Sequence, residues 1–200
     1  RNPIAIIVTR FGEIKVELYP KEAPNTVNCF ISLAKKGLFD HRKIRRIAPG
    51  FVLQPSYSDF EDERCAISLD GEYRNNGFPN DIPFERGTVA MGGEGNVASG
   101  SCFFITLTDE AGKRLDGGYA AFGKVIDGWE VVEQITALPT EKVDIGIPGV
   151  DVNEPIEPEY MEKVMKRYAY KDWDSVLASI GHGGLKEGQV INKMVEERNK

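Results

Sequence analysis

The alternation of apolar and polar positions begins close to the first residue. Ile14, Val16 and Leu18 alternate with Glu13, Lys15 and Glu17, the period of a strand with one buried face. Residues 4–8 form an apolar run that joins this strand across Arg10-Phe11-Gly12. The period then changes: Val27, Phe30, Ile31 and Ala34 recur at helical spacing. Pro24 suits the first turn of that helix, where a missing N–H does no harm, and Gly37 ends it. Short strand-like runs follow at 51–53, 88–91, 103–107 and 120–125. A second helix is predicted over 129–135, with Val131, Val132 and Ile135 inward. Residues 139–158 are rich in Pro, Gly, Asp and Glu and read as a loop leading to a last strand near 160–167. Many short strands, glycine turns and only two helices point to a mainly β chain folded as a closed antiparallel barrel.

A different pattern takes over at the C-terminal end. Trp173, Val176, Leu177 and Ile180 form a helical stripe, Gly181-His182-Gly183-Gly184 breaks it, and Val190, Ile191 and Met194 begin a second. The chain therefore divides into a barrel domain, residues 1–168, and a C-terminal helical hairpin, residues 169–200. A hairpin of this size is marginal alone in water, so its stripes must cover the barrel or dock a protein partner. Both remain open.

Composition narrows the classes. The 200 residues allow one domain with a full core plus an extension. Hydrophobic content of 41% and charged content of 28% are ordinary for a globular chain. A net charge of −6 argues against nucleic acid as a partner, and the basic run Arg42, Lys43, Arg45, Arg46, taken by itself, reads as a solvated loop. No apolar run is long enough to span a bilayer, so no membrane partner is expected. Cys29, Cys65 and Cys102 have no metal-ligand spacing and read as free thiols of a reducing compartment, the cytoplasm. The chain starts at Arg1 and not Met, so the lack of a signal-peptide pattern says little about export.

The segment Arg45-Arg46-Ile47-Ala48-Pro49-Gly50-Phe51-Val52-Leu53-Gln54 carries the candidate chemistry. Pro49-Gly50 marks a turn into a strand, which brings a fixed cation, apolar side chains and a neutral amide together. Such a site can hold an apolar ring and stabilise a charge shift beside it. Cys102 as a nucleophile lacks a convincing base, since the chain's two histidines sit in no matching motif. The run Gly92-Gly93-Glu94-Gly95 lacks the Lys-Ser/Thr of a phosphate loop. Asp59, Glu61, Asp62 and Glu63 lack the ligand register of a calcium loop. No metal or cofactor is expected.

Four further segments accompany this one. They are Gly12-Glu13-Ile14-Lys15-Val16-Glu17-Leu18, Ala23-Pro24-Asn25-Thr26-Val27, Gly100-Ser101-Cys102-Phe103-Phe104-Ile105-Thr106 and Leu115-Asp116-Gly117-Gly118-Tyr119-Ala120-Ala121-Phe122-Gly123-Lys124-Val125. Their order and spacing resemble the cyclophilin-type peptidyl-prolyl isomerases over roughly residues 4–167, and the insert Gly71-Glu72-Tyr73-Arg74-Asn75-Asn76-Gly77-Phe78 resembles the bacterial branch. The resemblance implies an eight-stranded barrel with a helix over each open end. It implies a cofactor-free enzyme acting on Xaa-Pro bonds of peptides or unfolded chains. A binding module for proline segments, or a scaffold working through the hairpin, is the alternative.

By the family pattern Arg46 is the catalytic arginine, and Phe51, Val52, Phe104 and Leu115 line the proline pocket. Gln54 holds the substrate backbone, the backbone of Gly92 and Gly93 grips the residue before proline, and Cys102 and Tyr119 complete the groove. Taken singly, Phe51, Phe104 and Leu115 read as core, and Met91 and Phe103 are expected there. Departures from the pattern cluster around the groove. Cys102 stands where a glutamine is usual, Gly93 where an asparagine is usual, and Arg45 where a histidine is usual. Tyr119 replaces a histidine, and Arg114 stands where many members have the tryptophan that contacts cyclosporin. Cyclosporin-like ligands are therefore expected to bind with weakened affinity.

Overall fold

Strands β1 (Ile4–Thr9) and β2 (Gly12–Leu18) pair antiparallel from Ile4 opposite Glu17 to Thr9 opposite Gly12. Ile14, Val16 and Leu18 enter the core as their alternation requires. The structure is a computed structural model that describes residues 2–55, 62–146, 148–149 and 151–166. The expected C-terminal hairpin lies outside the described residues.

The other strands are β3 (Arg42–Lys43), β4 (Arg46–Ala48), β5 (Val52–Gln54), β6 (Ser68–Asp70), β7 (Thr88–Glu94), β8 (Val97–Thr106), β9 (Ala120–Asp127), β10 (Thr140–Asp144), β11 (Asp151–Pro155), β12 (Tyr160–Met161) and β13 (Lys163–Lys166). The main sheet runs β13-β1-β2-β9-β7-β8-β5-β4, with β6 added on β8. Its path has the eight strands the family resemblance implies, but the end strands β13 and β4 are not neighbours in it. The sheet is a curled half-barrel. The segments just before those two ends pair with each other instead: β3 lies antiparallel to β12, and Ile44 N–H donates to the Glu159 carbonyl at 2.8 Å.

Three α-helices are present among the described residues, one more than the sequence suggested. Helices α1 (Pro24–Lys35) and α3 (Trp129–Thr136) bury Val27, Phe30, Ile31, Val131, Val132 and Ile135 in the main core. Helix α2 (Asp109–Leu115) went unread. Its start is capped by Thr108, whose Oγ1 accepts from Ala111 N–H at 3.1 Å, and Asp109 and Glu110 follow in the first turn. The segment read as a loop over 139–158 contains a hairpin of β10 and β11, in register from Thr140 opposite Pro155 to Asp144 opposite Asp151. Arg42, Lys43 and Arg45, read as a solvated loop, are only part-exposed and each is ion-paired: Arg42 with Asp62 at 3.0 Å, Lys43 and Arg45 with Glu154 at 3.5 Å.

Pleating divides the sheet's side chains between two apolar bodies. Ile47, Leu53, Val89, Met91, Phe103, Ile105 and Phe122 face the main core. Their alternate neighbours Val52, Ala90, Phe104 and Ala121 form a second cluster with Ile82, Phe84 and Leu115. The second face is the one that carries the site.

Ala23, the residue before helix α1, offers no side-chain cap, and Pro24 at its first turn has no N–H. The next two donors are met from elsewhere in the chain. The fully buried Glu72 carboxylate accepts from Thr26 N–H at 2.7 Å, Thr26 Oγ1 at 2.7 Å and Asn25 N–H at 3.3 Å. An anion at a helix N-terminus also meets the positive end of its dipole. Glu72→Gln should therefore cost about 1.5–3 kcal/mol, the scale of hydrogen bonds to a charged group. Denaturant unfolding should show a lower midpoint with an unchanged slope; an unmoved midpoint would refute this capping role.

Candidate active site

Pro49 and Gly50 turn the chain between β4 and β5, with Gly50 at φ 71°. The turn sets Arg46 opposite Gln54, Ile47 opposite Leu53 and Ala48 opposite Val52. Period-two alternation then sends Ile47 and Leu53 to the main core. Arg46, Val52 and Gln54 are left on the other face, in a cleft of about 440 Å³. Arg46 Nη1 donates to Gln54 Oε1 at 3.2 Å. Gln54 is buried, so its amide holds the part-exposed guanidinium in one orientation.

The apolar floor comes from three further elements. Phe104 on β8 meets the ring of Tyr119 edge-to-face, with centroids 5.6 Å apart. It stacks on Phe84 at 6.3 Å, an offset arrangement aromatic rings favour. Leu115 arrives from the end of α2. Phe51 stands at the β4–β5 turn beneath the guanidinium of Arg114, which lies 5.2 Å from its ring centre.

The polar wall is the β7–β8 hairpin. The pairing slips between Met91 and Gly93, so Gly92 sits in a bulge facing the cleft. A Cβ on Gly93 would lie 2.4 Å from the Val97 carbonyl oxygen and 2.9 Å from the Ala98 Cα. No side chain fits there unless the β8 backbone shifts. A Cβ on Gly92 would lie 3.3 Å from Gln54 Nε2. Ser99 Oγ accepts from the N–H groups of Ser101 at 3.1 Å and Cys102 at 3.0 Å, fixing the turn of β8 toward the cleft.

The cleft thus gathers every residue singled out from the sequence: Arg46, Phe51, Val52, Gln54, Gly92, Gly93, Cys102, Phe104, Leu115 and Tyr119. Met91 and Phe103 are fully buried in the core. Ser99 also lines the cleft and was missed; its only sequence signal is a hydroxyl beside Gly100 in the glycine-rich hairpin.

Behind the wall, Tyr73 donates its hydroxyl to the Gly95 carbonyl. Burial raises that hydroxyl's pKa above the ordinary tyrosine value, which keeps it a donor. Asn80 donates to the carbonyls of Glu72 and Ala121 at 2.9 and 2.8 Å, tying the same loop to β9 beside the cleft floor. Among the described residues there is no cluster of three or more metal-ligating side chains. None of their helices is long and apolar enough to cross a membrane.

Comparison with known proteins agrees with this arrangement. The family model for cyclophilin type peptidyl-prolyl cis-trans isomerases matches residues 4–160. A peptidyl-prolyl cis-trans isomerase of Acinetobacter baylyi is 32% identical over 163 residues, covering 78% of this chain and 81% of that one. A peptidyl-prolyl cis-trans isomerase-like 2 of Cryptococcus neoformans is 31% identical over 187 residues, and the chain spans only 30% of its length. In fold the chain is similar to a Cryptosporidium parvum cyclophilin type peptidyl-prolyl cis-trans isomerase, with a TM-score of 0.69 at 22% identity. That match covers 85% of this chain and 100% of the other, and the same protein has also been solved in the presence of the dipeptide Ala-Pro. With a family model spanning most of its length and an arginine set over an apolar cleft, this chain belongs to the cyclophilin-type peptidyl-prolyl cis-trans isomerases.

Proposed function

We propose that the cleft rotates Xaa-Pro bonds of peptides and unfolded chains, with Arg46 as the catalytic residue. The observation that carries this reading is the Arg46–Gln54 pair set directly beside the floor of Phe51, Val52, Phe104, Leu115 and Tyr119. A peptide bond resists rotation by about 18–20 kcal/mol because twisting breaks amide resonance. Before proline, cis and trans lie close in energy and exchange over roughly tens to hundreds of seconds. In the twisted state the prolyl nitrogen regains a lone pair and accepts a hydrogen bond that neither planar form offers. A guanidinium N–H aimed at that nitrogen stabilises the transition state selectively, which is the requirement for rate. The apolar floor seats the ring and excludes water, and Gln54 with the Gly92–Gly93 backbone holds the flanking peptide. No bond to the enzyme forms, and no cofactor enters this scheme.

Arg46→Ala should lower kcat/KM by roughly 100- to 1000-fold, or about 2.7–4 kcal/mol, as loss of one charge-assisted donor from a dry site does. Arg46→Lys should recover little, because a point charge does not reproduce the fork. A proline-peptide isomerisation assay decides; near-native turnover in Arg46→Ala would remove the assignment.

Cys102 supplies a weak thiol donor and acceptor where an amide would bond to substrate. We infer that this residue, with Arg114 over Phe51, also weakens binding of cyclosporin-like ligands. Cys102→Gln should raise kcat/KM roughly 2- to 12-fold, the worth of one added neutral hydrogen bond, and should tighten cyclosporin inhibition in the same assay. No gain in either would place the limit elsewhere in the cleft.

The working unit is proposed to be residues 1–168, in the bacterial branch and in the cytoplasm, a reducing compartment suited to three buried cysteines outside any disulfide. Docking of a protein partner by residues 169–200 remains a separate proposal. A chain ending near residue 170 should keep its isomerase rate, since every assigned residue precedes Val125. A truncated chain that folds normally but loses turnover would show that the later residues contribute to the cleft.

A further inference from the structure

Strand β4, which carries Arg46, is the last strand of the main sheet and hydrogen-bonds there only to β5. It is three residues long. Such a strand is weakly fixed on its open edge, yet the proposed chemistry needs the guanidinium held to within a fraction of an ångström. Packed against β4 is β11 of the β10–β11 hairpin. That hairpin is not part of the main sheet.

One carboxylate of β11 faces the catalytic segment. Glu154 Oε2 is 3.5 Å from Arg45 Nη1, and its Oε1 is 3.5 Å from Lys43 Nζ. The Glu154 side chain is 10% exposed and that of Arg45 22%. At such burial an ion pair is screened far less than on the surface. The segment also needs an anion here, because Lys43, Arg45 and Arg46 place three cations within four residues. The core residues Ile44 and Ile47 anchor the segment by their side chains, and the Glu154 carboxylate lies against the side chains of Lys43 and Arg45 in the same segment.

We propose that Glu154 is a positioning residue for Arg46. It acts through Arg45, clamping the first residue of β4 at the orientation from which Arg46 enters the cleft. The idea rests on the reading of Arg46 as the catalytic arginine. It assigns the β10–β11 hairpin a part in turnover, and it accounts for an arginine at position 45 where the family pattern has a histidine. Glu154 touches no substrate: it does not line the cleft.

The test is a set of isomerisation assays well below the melting temperature of each variant. Glu154→Gln keeps the shape of the side chain and removes its charge. It should lower kcat roughly tenfold, within the ~100-fold that an ångström of misplacement can cost, and leave KM unchanged because the proline pocket is intact. Arg45→Gln should give the same loss, and the double variant Arg45→Gln/Glu154→Gln no further loss, as expected for two residues acting as one unit. In an Arg46→Ala background, Glu154→Gln should change nothing. A purely structural role would lower the melting temperature and leave kcat alone, and that result overturns the proposal. So does a loss that persists in the Arg46→Ala background, or one that appears in KM. Failure of Arg46→Ala itself to lose activity would instead sink the reading on which this rests. Should Glu154→Gln fail to fold, Arg45→Gln alone carries the same kcat-against-KM test.

Discussion

The cleft depends on one geometric constraint: a pleated strand cannot send neighbouring side chains to the same face. In β4, β5, β7, β8 and β9 the inner positions carry bulk, with Phe103, Phe122, Met91 and Ile105 all fully buried in the main core. The outer positions include Ala90 and Ala121, and Ala90 lies directly opposite Phe104. Small residues there leave room over the sheet, and Phe104 provides a floor for it. A one-residue slip of β8 would exchange Phe103 with Phe104 and destroy core and cleft together. Stability and site geometry are therefore specified by the same register.

Much of this was legible from local pattern. The alternation of β2 and the helical stripe of α1 are strong signals, and the structure follows both. The segment from Arg46 to Gln54 is readable because turn and strands are contiguous. Helix α2 was not readable because it is seven residues long with Gly112 in its interior. A Cβ at Gly112 would lie 2.4 Å from the Phe84 carbonyl oxygen. Close packing thus demands the residue that most weakens the helical signal. The β10–β11 hairpin was hidden for another reason: β10 alternates no clear apolar face, and only the ladder defines it. The partners Glu72 and Glu154 are invisible to any local reading, because each meets its donors or cations across the fold.

Two carboxylates of the fold contrast usefully. Glu72 is fully buried and meets backbone donors and a hydroxyl at short range, so it acts on the stability of one helix. Glu154 is set farther from its partners, between two side-chain cations. Its influence falls on where a short edge strand lies, which concerns chemistry more than stability.

The departures from the family pattern also form a set and not a scatter. Gly93 cannot carry the usual asparagine because the β8 backbone occupies the space a Cβ needs. With that amide absent, Ser99 organises the wall by accepting from the Ser101 and Cys102 backbone. Cys102 then lines the cleft at the position where the family pattern has a second amide. Among the polar side chains lining the cleft, which include Ser99 and Tyr119, Arg46 and Gln54 are hydrogen-bonded to each other. A site reduced in this way still meets the requirement of the proposed reaction, which forms no covalent bond to the enzyme: one oriented donor beside an apolar floor. On the function proposed here, the donor and the apolar floor that rotate the bond are in place, and the departures fall among the groups proposed to hold the flanking peptide.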